Sequence, residues 1–214
     1  MSSCCRAAPC EELFDERLAG WYLRSYQRHG VGALERRMLA ALSAADIRDQ
    51  RVLEIGGGVG AIQAELLKRG ASTGEVIELV EAYRHSAAEL AAWAGVAGRS
   101  TFRVADVLAN PGEVEAAGVV VLNRVVCCSA EGLELVGVAA HLTEGTLLLS
   151  FPRSTALARF AQRAQHWLAR LTRHRFRFYV RPGAAIRAAA ESAGLEFVAG
   201  GGGLLWEYQA FRRP

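Results

Sequence analysis

Residues 54–60 read Glu-Ile-Gly-Gly-Gly-Val-Gly, an acid two positions ahead of the first of four glycines. The run before the glycines, VLEI at 52–55, is short, apolar and rich in β-branched residues, and AIQAELLKR at 61–69 has helical spacing at Ile62, Leu66 and Leu67. That pattern predicts strand, tight turn and helix. Glycine serves such a turn because it takes φ > 0 and lets a ligand approach bare backbone. The helix start then presents unpaired N–H groups and a positive dipole end to whatever sits in the turn. Gly56-x-Gly58-x-x-Ala61 satisfies the loose dinucleotide fingerprint, in which a pyrophosphate rests on the helix start. A carboxylate at the mouth of the site gains nothing from a pyrophosphate, so Glu54 argues for a cationic ligand.

These residues need a scaffold, and the chain spells one out. GEVIEL (74–79), TFRVADV (101–107), VVVLNRVV (119–126) and TLLLSF (146–151) read as further strands, with AAELAAWA as a second helix. Strands alternating with helices imply a parallel, doubly wound α/β sheet that binds ligands at the carboxyl ends of its strands. Residues from about Glu11 to Leu42 look helical, with Leu13, Phe14, Leu18 and Trp21 on one face and Leu34, Met38 and Leu42 repeating at four. AGLEFV (193–198), GGGG (200–203) and LLWEYQAFRR (204–213) read as strand, Gly turn, strand. Glu78 ends the second strand 22 residues after Gly56, the interval at which an acid commonly accepts from ribose hydroxyls. Asp106 ends the third strand and Asn123 the fourth.

The Glu54-x-Gly56-x-Gly58-x-Gly60 loop resembles the first motif of class I S-adenosylmethionine (SAM)-dependent methyltransferases. The terminal strand pair agrees with that family and not with a dinucleotide-binding dehydrogenase. The resemblance covers roughly residues 50–213 and implies a Rossmann-like methyltransferase sheet with a terminal antiparallel hairpin. It implies residues 1–48 as an N-terminal helical cap and 49–214 as the SAM-binding domain. SAM would be held by Glu54, Gly56, Gly57, Gly58 and Gly60, with Glu54 on its ammonium group. Glu78 would meet the ribose, Asp106 the adenine amino group, with Leu79 and Val107 also contacting the cofactor, and Asn123 would lie near the reacting methyl. A narrower resemblance, carried by LLLSFPRST, the helix after it, RFRFYV, AGLEFV and the final aromatic strand, is to magnesium-protoporphyrin O-methyltransferases. Where that family has a His-Tyr pair after strand four, this chain has Cys127-Cys128. Other classes consistent with the loop are a non-catalytic SAM-binding protein and a NAD-dependent enzyme.

Charge speaks to the acceptor. Net charge is only +3, yet from Gly145 to Ala190 there is no acid and there are nine arginines. In TALARFAQRAQHWLARLTR, Arg159, Arg163, His166, Arg170 and Arg173 form one helical stripe, and Leu157, Phe160, Ala164, Trp167 and Leu171 are expected on the opposite side. Such a basic segment suits an anionic or aromatic small molecule, and a peripheral membrane contact through residues 155–173 is a further reading. Nucleic acid is disfavoured because no recognition motif accompanies the charge. The acceptor pocket is expected from Tyr22, Tyr26, His29, Cys127, Arg153 and Tyr179, under a lid formed by the N-terminal helices and residues 152–181. Arg153, at the end of strand five, is the arginine placed best for an anion.

Composition sets outer limits. At 51% hydrophobic and 22% charged residues the chain is globular rather than disordered. It has no apolar run of the roughly 18 to 20 residues a span requires, and MSSCCRAAPCEE lacks a signal-peptide middle, so a cytoplasmic protein is expected. The odd count of five cysteines (Cys4, Cys5, Cys10, Cys127 and Cys128) argues against a disulfide framework. Their spacing fits no zinc template, so no metal site is expected.

Overall fold

Seven strands in the order β3-β2-β1-β4-β5-β7-β6 form one sheet in the computed structural model, which describes residues 10–172 and 175–214. They are β1 (Arg51–Ile55), β2 (Thr73–Glu78), β3 (Ser100–Val104), β4 (Ala117–Asn123), β5 (Thr143–Pro152), β6 (Glu196–Gly202) and β7 (Trp206–Arg212). β1 runs parallel to β2 and β4, and β4 parallel to β5, whereas β7 inserts antiparallel between β5 and β6. β4 is buried along AGVVVL, as a parallel strand covered on both faces must be.

Side-chain alternation divides the interior into two layers. Val52, Val119, Val121, Leu148 and Ala210 face a core shared with α1 (Glu16–His29), α2 (Ala33–Ala40), α3 (Ala44–Ile47), α4 (Ala61–Lys68) and α5 (Arg84–Trp93). Leu53, Val120, Leu122, Leu147, Leu149 and Phe211 face the other core, closed by α6 (Gly132–His141) and α8 (Gly183–Ser192). The N-terminal helices belong to the first layer through Leu23, Tyr26, Met38 and Leu39. Tyr26 donates to Glu65 of α4 at 2.6 Å and accepts from Lys68 at 3.0 Å, so α1 is tied to the helix that follows the glycine loop.

The helical stretch from Glu11 to Leu42 is divided: Asp15 caps α1 by accepting from the Leu18 N–H, α1 stops at Gly30, and α2 starts after Gly32. Two local expectations are corrected. Glycines 200–202 are not the turn of the last hairpin but part of β6, and the chain reverses at 203–205. Their role is space, since a Cβ at Gly201 would sit 3.1 Å from the Tyr208 ring and one at Gly202 only 2.3 Å from the Trp206 carbonyl. Finally, β3 stops at Val104, two residues short of Asp106.

Beyond the end of β7, Arg213 ties strand and helices together. Its guanidinium donates to the carbonyls of Ala140 near the end of α6, Thr143 at the start of β5 and Ala193 just after α8. Arg213→Ala should therefore cost about 3 kcal/mol. In thermal unfolding that corresponds to a Tm lowered by roughly 6–12 °C for a chain of this size.

Candidate active site

The strand order reverses between β1 and β4, and the chain leaves the sheet there at the carboxyl ends of both, where a doubly wound fold opens its ligand crevice. After Ile55 the backbone turns through Gly56, Gly58 and Gly60 at φ of 64°, 56° and 76° and enters α4 with Gly60 as its N-cap. Side chains rarely adopt these angles, and at Gly56 there is no room either: a Cβ would lie 2.3 Å from Val125. Gly58 is roomier, its Cβ position being 3.2 Å from the Tyr83 ring.

The acids converge on this loop. Glu54, buried on β1, accepts from the Gln63 N–H of α4 at 2.9 Å. Burial, reinforced by the negative charge of Glu78, pushes its carboxyl up to about 8. No cationic side chain among the described residues lies within hydrogen-bonding distance of it, so the site has a buried acid whose natural counter-charge is an ammonium. Glu78 closes β2, accepting from the Gly58 N–H at 3.0 Å and the Leu79 N–H at 2.8 Å. Burial raises its carboxyl while those bonds oppose the rise. Asp106 accepts from the Leu108 and Ala109 N–H groups, which aims the loop after β3. Asn123 ends β4 with its side-chain oxygen held by the Ser150 hydroxyl at 2.7 Å.

These groups bound one cavity of about 390 Å³. Of the cofactor candidates, Glu54, Gly56, Gly57, Gly58, Glu78, Leu79, Asp106, Val107 and Asn123 line it, while Gly60 stands behind the wall as the helix cap. Of the acceptor candidates, Tyr22 and Tyr179 line it. The other four lie elsewhere. Tyr26 is buried against α4, and His29 is exposed at the end of α1. Cys127 turns its thiol to the Arg124 carbonyl, and Arg153 pairs with Glu207 at 3.7 Å. Cys128, not Cys127, reaches the wall.

Several lining residues carried no signal in the sequence: Cys10, Phe14, Tyr83, Arg124 and Glu131. Arg175 and Arg177, also in the wall, had one in the acid-free arginine run. Arg124 occupies left-handed backbone at φ 58°, a cost of about 1–2 kcal/mol for a non-glycine residue. Its N–H is held by Ser150, its guanidinium pairs with the buried Glu35 at 2.8 Å and stacks on Trp206. Strain of this kind persists only where the surroundings over-determine it. Burial pushes the Cys10 thiol up to about 11. The contact between the Cys127 and Cys128 sulfurs lowers Cys127 and, with burial, raises Cys128, the one of the two in the wall. Cys4, Cys5 and Arg173 lie outside the described residues.

A parallel sheet ending in an antiparallel hairpin, with a glycine loop wrapped over a buried acid, is the architecture of a SAM-dependent methyltransferase. The chain belongs to the methyltransferase domain family, whose model matches residues 24–199, and its cofactor is S-adenosylmethionine. An O-methyltransferase family protein from Burkholderia thailandensis superposes with a TM-score of 0.70 at 21% identity, over 92% of this chain and 58% of that one, so this chain spans a little over half its length. Magnesium protoporphyrin IX methyltransferase from Synechocystis, crystallised with bound SAH, gives 0.68 at 16% identity over 85% and 82%. An O-methyltransferase family 2 protein from Planctomyces limnophilus in complex with apigenin gives 0.69 at 16% identity over 93% and 62%. At these identities the likeness is one of fold. No curated protein matches the chain.

The site's residues fit the cofactor: Glu54 offers the charge an ammonium needs, and Glu78 offers acceptors beside the loop. Two outcomes follow if those contacts are made. Because Glu54 holds its proton up to about 8 in the free protein, the folded chain loses stability as pH rises from the ordinary carboxylate range through 8, and an ammonium ligand must expel that proton to pair with it. Affinity for S-adenosylhomocysteine, which carries the same ammonium, should therefore rise with pH toward 8. It should fall again only at higher pH, where the ligand's own amino group loses its proton. Calorimetry across this range should show the acid limb vanish in Glu54→Gln; an unchanged bell in that variant would place the ammonium elsewhere. Glu78→Ala should weaken the same ligand by about 1.5–3 kcal/mol, the range for a hydrogen bond to a charged group.

Proposed function

We propose that this methyltransferase acts on a small aromatic or anionic molecule and that the accepting atom is a carboxylate oxygen. The observation that carries the reading is the composition of the cavity wall. Phe14, Tyr22 and Tyr179 line it together with Arg175 and Arg177, and no histidine is among the described lining residues. Aromatic faces hold a flat ring, and guanidinium groups hold an anion. A cavity of about 390 Å³ serving cofactor and acceptor together is at the small end for ligand sites, which favours a compact acceptor or one that enters only by its reacting group.

Bound SAM supplies an activated methyl group, so the chain's task is alignment and exclusion of water. The loop and the buried acids fix the donor end; the Ser150 hydroxyl fixes Asn123 where the two ends meet. A carboxylate arrives already ionised and needs no general base. A phenol or amine would need one, and Glu131, which accepts from Ser129, is a carboxylate in the cavity wall.

Methyl transfer from labelled SAM to panels of aromatic carboxylates, phenols and amines separates the readings. Turnover of a carboxylate is expected, with Arg177→Ala raising its KM at least about 10-fold, the loss of one charge-assisted contact. S-adenosylhomocysteine affinity should stay unchanged in that variant. Glu131→Gln should leave carboxylate turnover within a few-fold of wild type. Turnover confined to phenols or amines, with Glu131→Gln lowering kcat by about 100-fold or more, would replace the carboxylate by a protonated acceptor.

A further inference from the structure

The helix α7 (Ala156–Leu171) is mounted with its polar side toward the protein. Gln162 accepts from the Val180 N–H at 2.6 Å, Gln165 donates to the Phe176 carbonyl at 3.0 Å, and His166 donates to the Phe178 carbonyl at 2.9 Å. Ala169 is its one buried residue. His166 thus leaves the arginine stripe for the inner face. The apolar stripe points outward: Leu157, Phe160, Trp167 and Leu171 are 74, 68, 64 and 63% exposed. Arg159, Arg163 and Arg170, also exposed, run beside that stripe rather than opposite it. At the start of the helix the patch continues onto the hairpin tip, where Leu204 and Leu205 are 86 and 68% exposed and the Leu205 carbonyl accepts from the Arg153 N–H.

We infer that α7 and the 203–205 turn form a docking surface for an anionic lipid bilayer. A helix that satisfies its polar side against its own protein and turns Leu, Phe and Trp to the outside has the form of an interfacial helix, apolar side chains among the acyl chains and arginines at headgroup level. The charge selects the lipid. Residues 145–190 contain no acid, so nothing in this segment offsets the attraction of its arginines to an anionic leaflet. A second copy of the chain is a poorer occupant, because a two-fold contact on this stripe would bring Arg159, Arg163 and Arg170 of both copies against each other. The surface has a link to the cavity: the segment to which α7 bonds, 176–180, carries Arg177 and Tyr179 in the cavity wall. A docked α7 would bring that wall close to the headgroups. The inference is independent of the acceptor's identity.

Flotation of the full chain with phosphatidylcholine vesicles, with and without about 30% phosphatidylglycerol at about 0.1 M salt, tests it. Co-flotation with the anionic vesicles is expected, at least about 10-fold stronger than with phosphatidylcholine alone and weakened by high salt. Phe160→Asp with Trp167→Asp should abolish it. Neutralising Arg159, Arg163 and Arg170 by glutamine should weaken it about 100-fold, each arginine near such a surface counting for a factor of about 5. S-adenosylhomocysteine affinity, unchanged in both variants, would show that the fold is retained. The inference fails if the wild type stays with neither vesicle. It also fails if Phe160→Asp with Trp167→Asp binds as the wild type does, or if that pair instead dissociates a dimer that ignores vesicles.

Discussion

Everything in the cofactor end of this molecule hangs on how tightly the chain turns between β1 and α4. The turn lets Glu54, pointing off a central strand, be roofed by its own loop: a Cβ at Gly57 would lie 2.6 Å from its side chain, and its carboxylate is already engaged by the helix N–H of Gln63. A carboxyl so enclosed cannot stay ionised without a partner, and burial raises it to about 8. The same compactness brings the Gly58 N–H onto Glu78, so loop and second strand share one hydrogen-bonded frame. The binding end is therefore rigid before any ligand arrives, which spares the ordering cost of association.

On the other side of the switch point, the frame is held by strain rather than by glycine. Arg124 turns the chain out of β4 in a left-handed conformation and is secured from three directions by Ser150, Glu35 and Trp206. Through Glu35 it joins α2 to the sheet, and through the next residue it sets Val125 against Gly56. The N-terminal region thus helps to position the site, and its contribution to the wall, Tyr22 of α1 with Cys10 and Phe14 ahead of that helix, comes from more than 30 residues away from the loop.

The mounting of α7 is the point at which ordinary folding logic is reversed. Amphipathic helices of a globular protein turn their apolar stripe inward, because burial of each large side chain is worth about 1.5–3 kcal/mol. Here that gain is left unused within the described chain, and hydrogen bonds from Gln162, Gln165 and His166 hold the helix instead. Among the described residues, no helix is long and apolar enough to cross a membrane, so the exposed stripe is a surface feature rather than part of a span.

The sequence by itself determined the alternation of strands and helices, the terminal hairpin and the chemistry of the loop. Each of these is a local property: period-two and period-3.6 patterns reflect which face is covered, and glycine spacing reflects backbone angles that other residues avoid. Glu54, Glu78 and Asn123 were legible for the same reason, since the carboxyl ends of parallel strands face the crevice in a doubly wound sheet. What only tertiary structure decided is everything set by distant neighbours. Tyr22 and Tyr26 stand one turn apart on α1, yet only Tyr22 reaches the cavity, because Glu65 draws Tyr26 into the core. Arg153 is turned to Glu207 on a strand more than 50 residues away in the chain, and Cys128 rather than Cys127 reaches the wall. The periodicity of α7 showed two stripes but not which way they face. Direction depends on what the rest of the chain offers each side, and here it offers the carbonyls and N–H groups of residues 176–180 to the polar one.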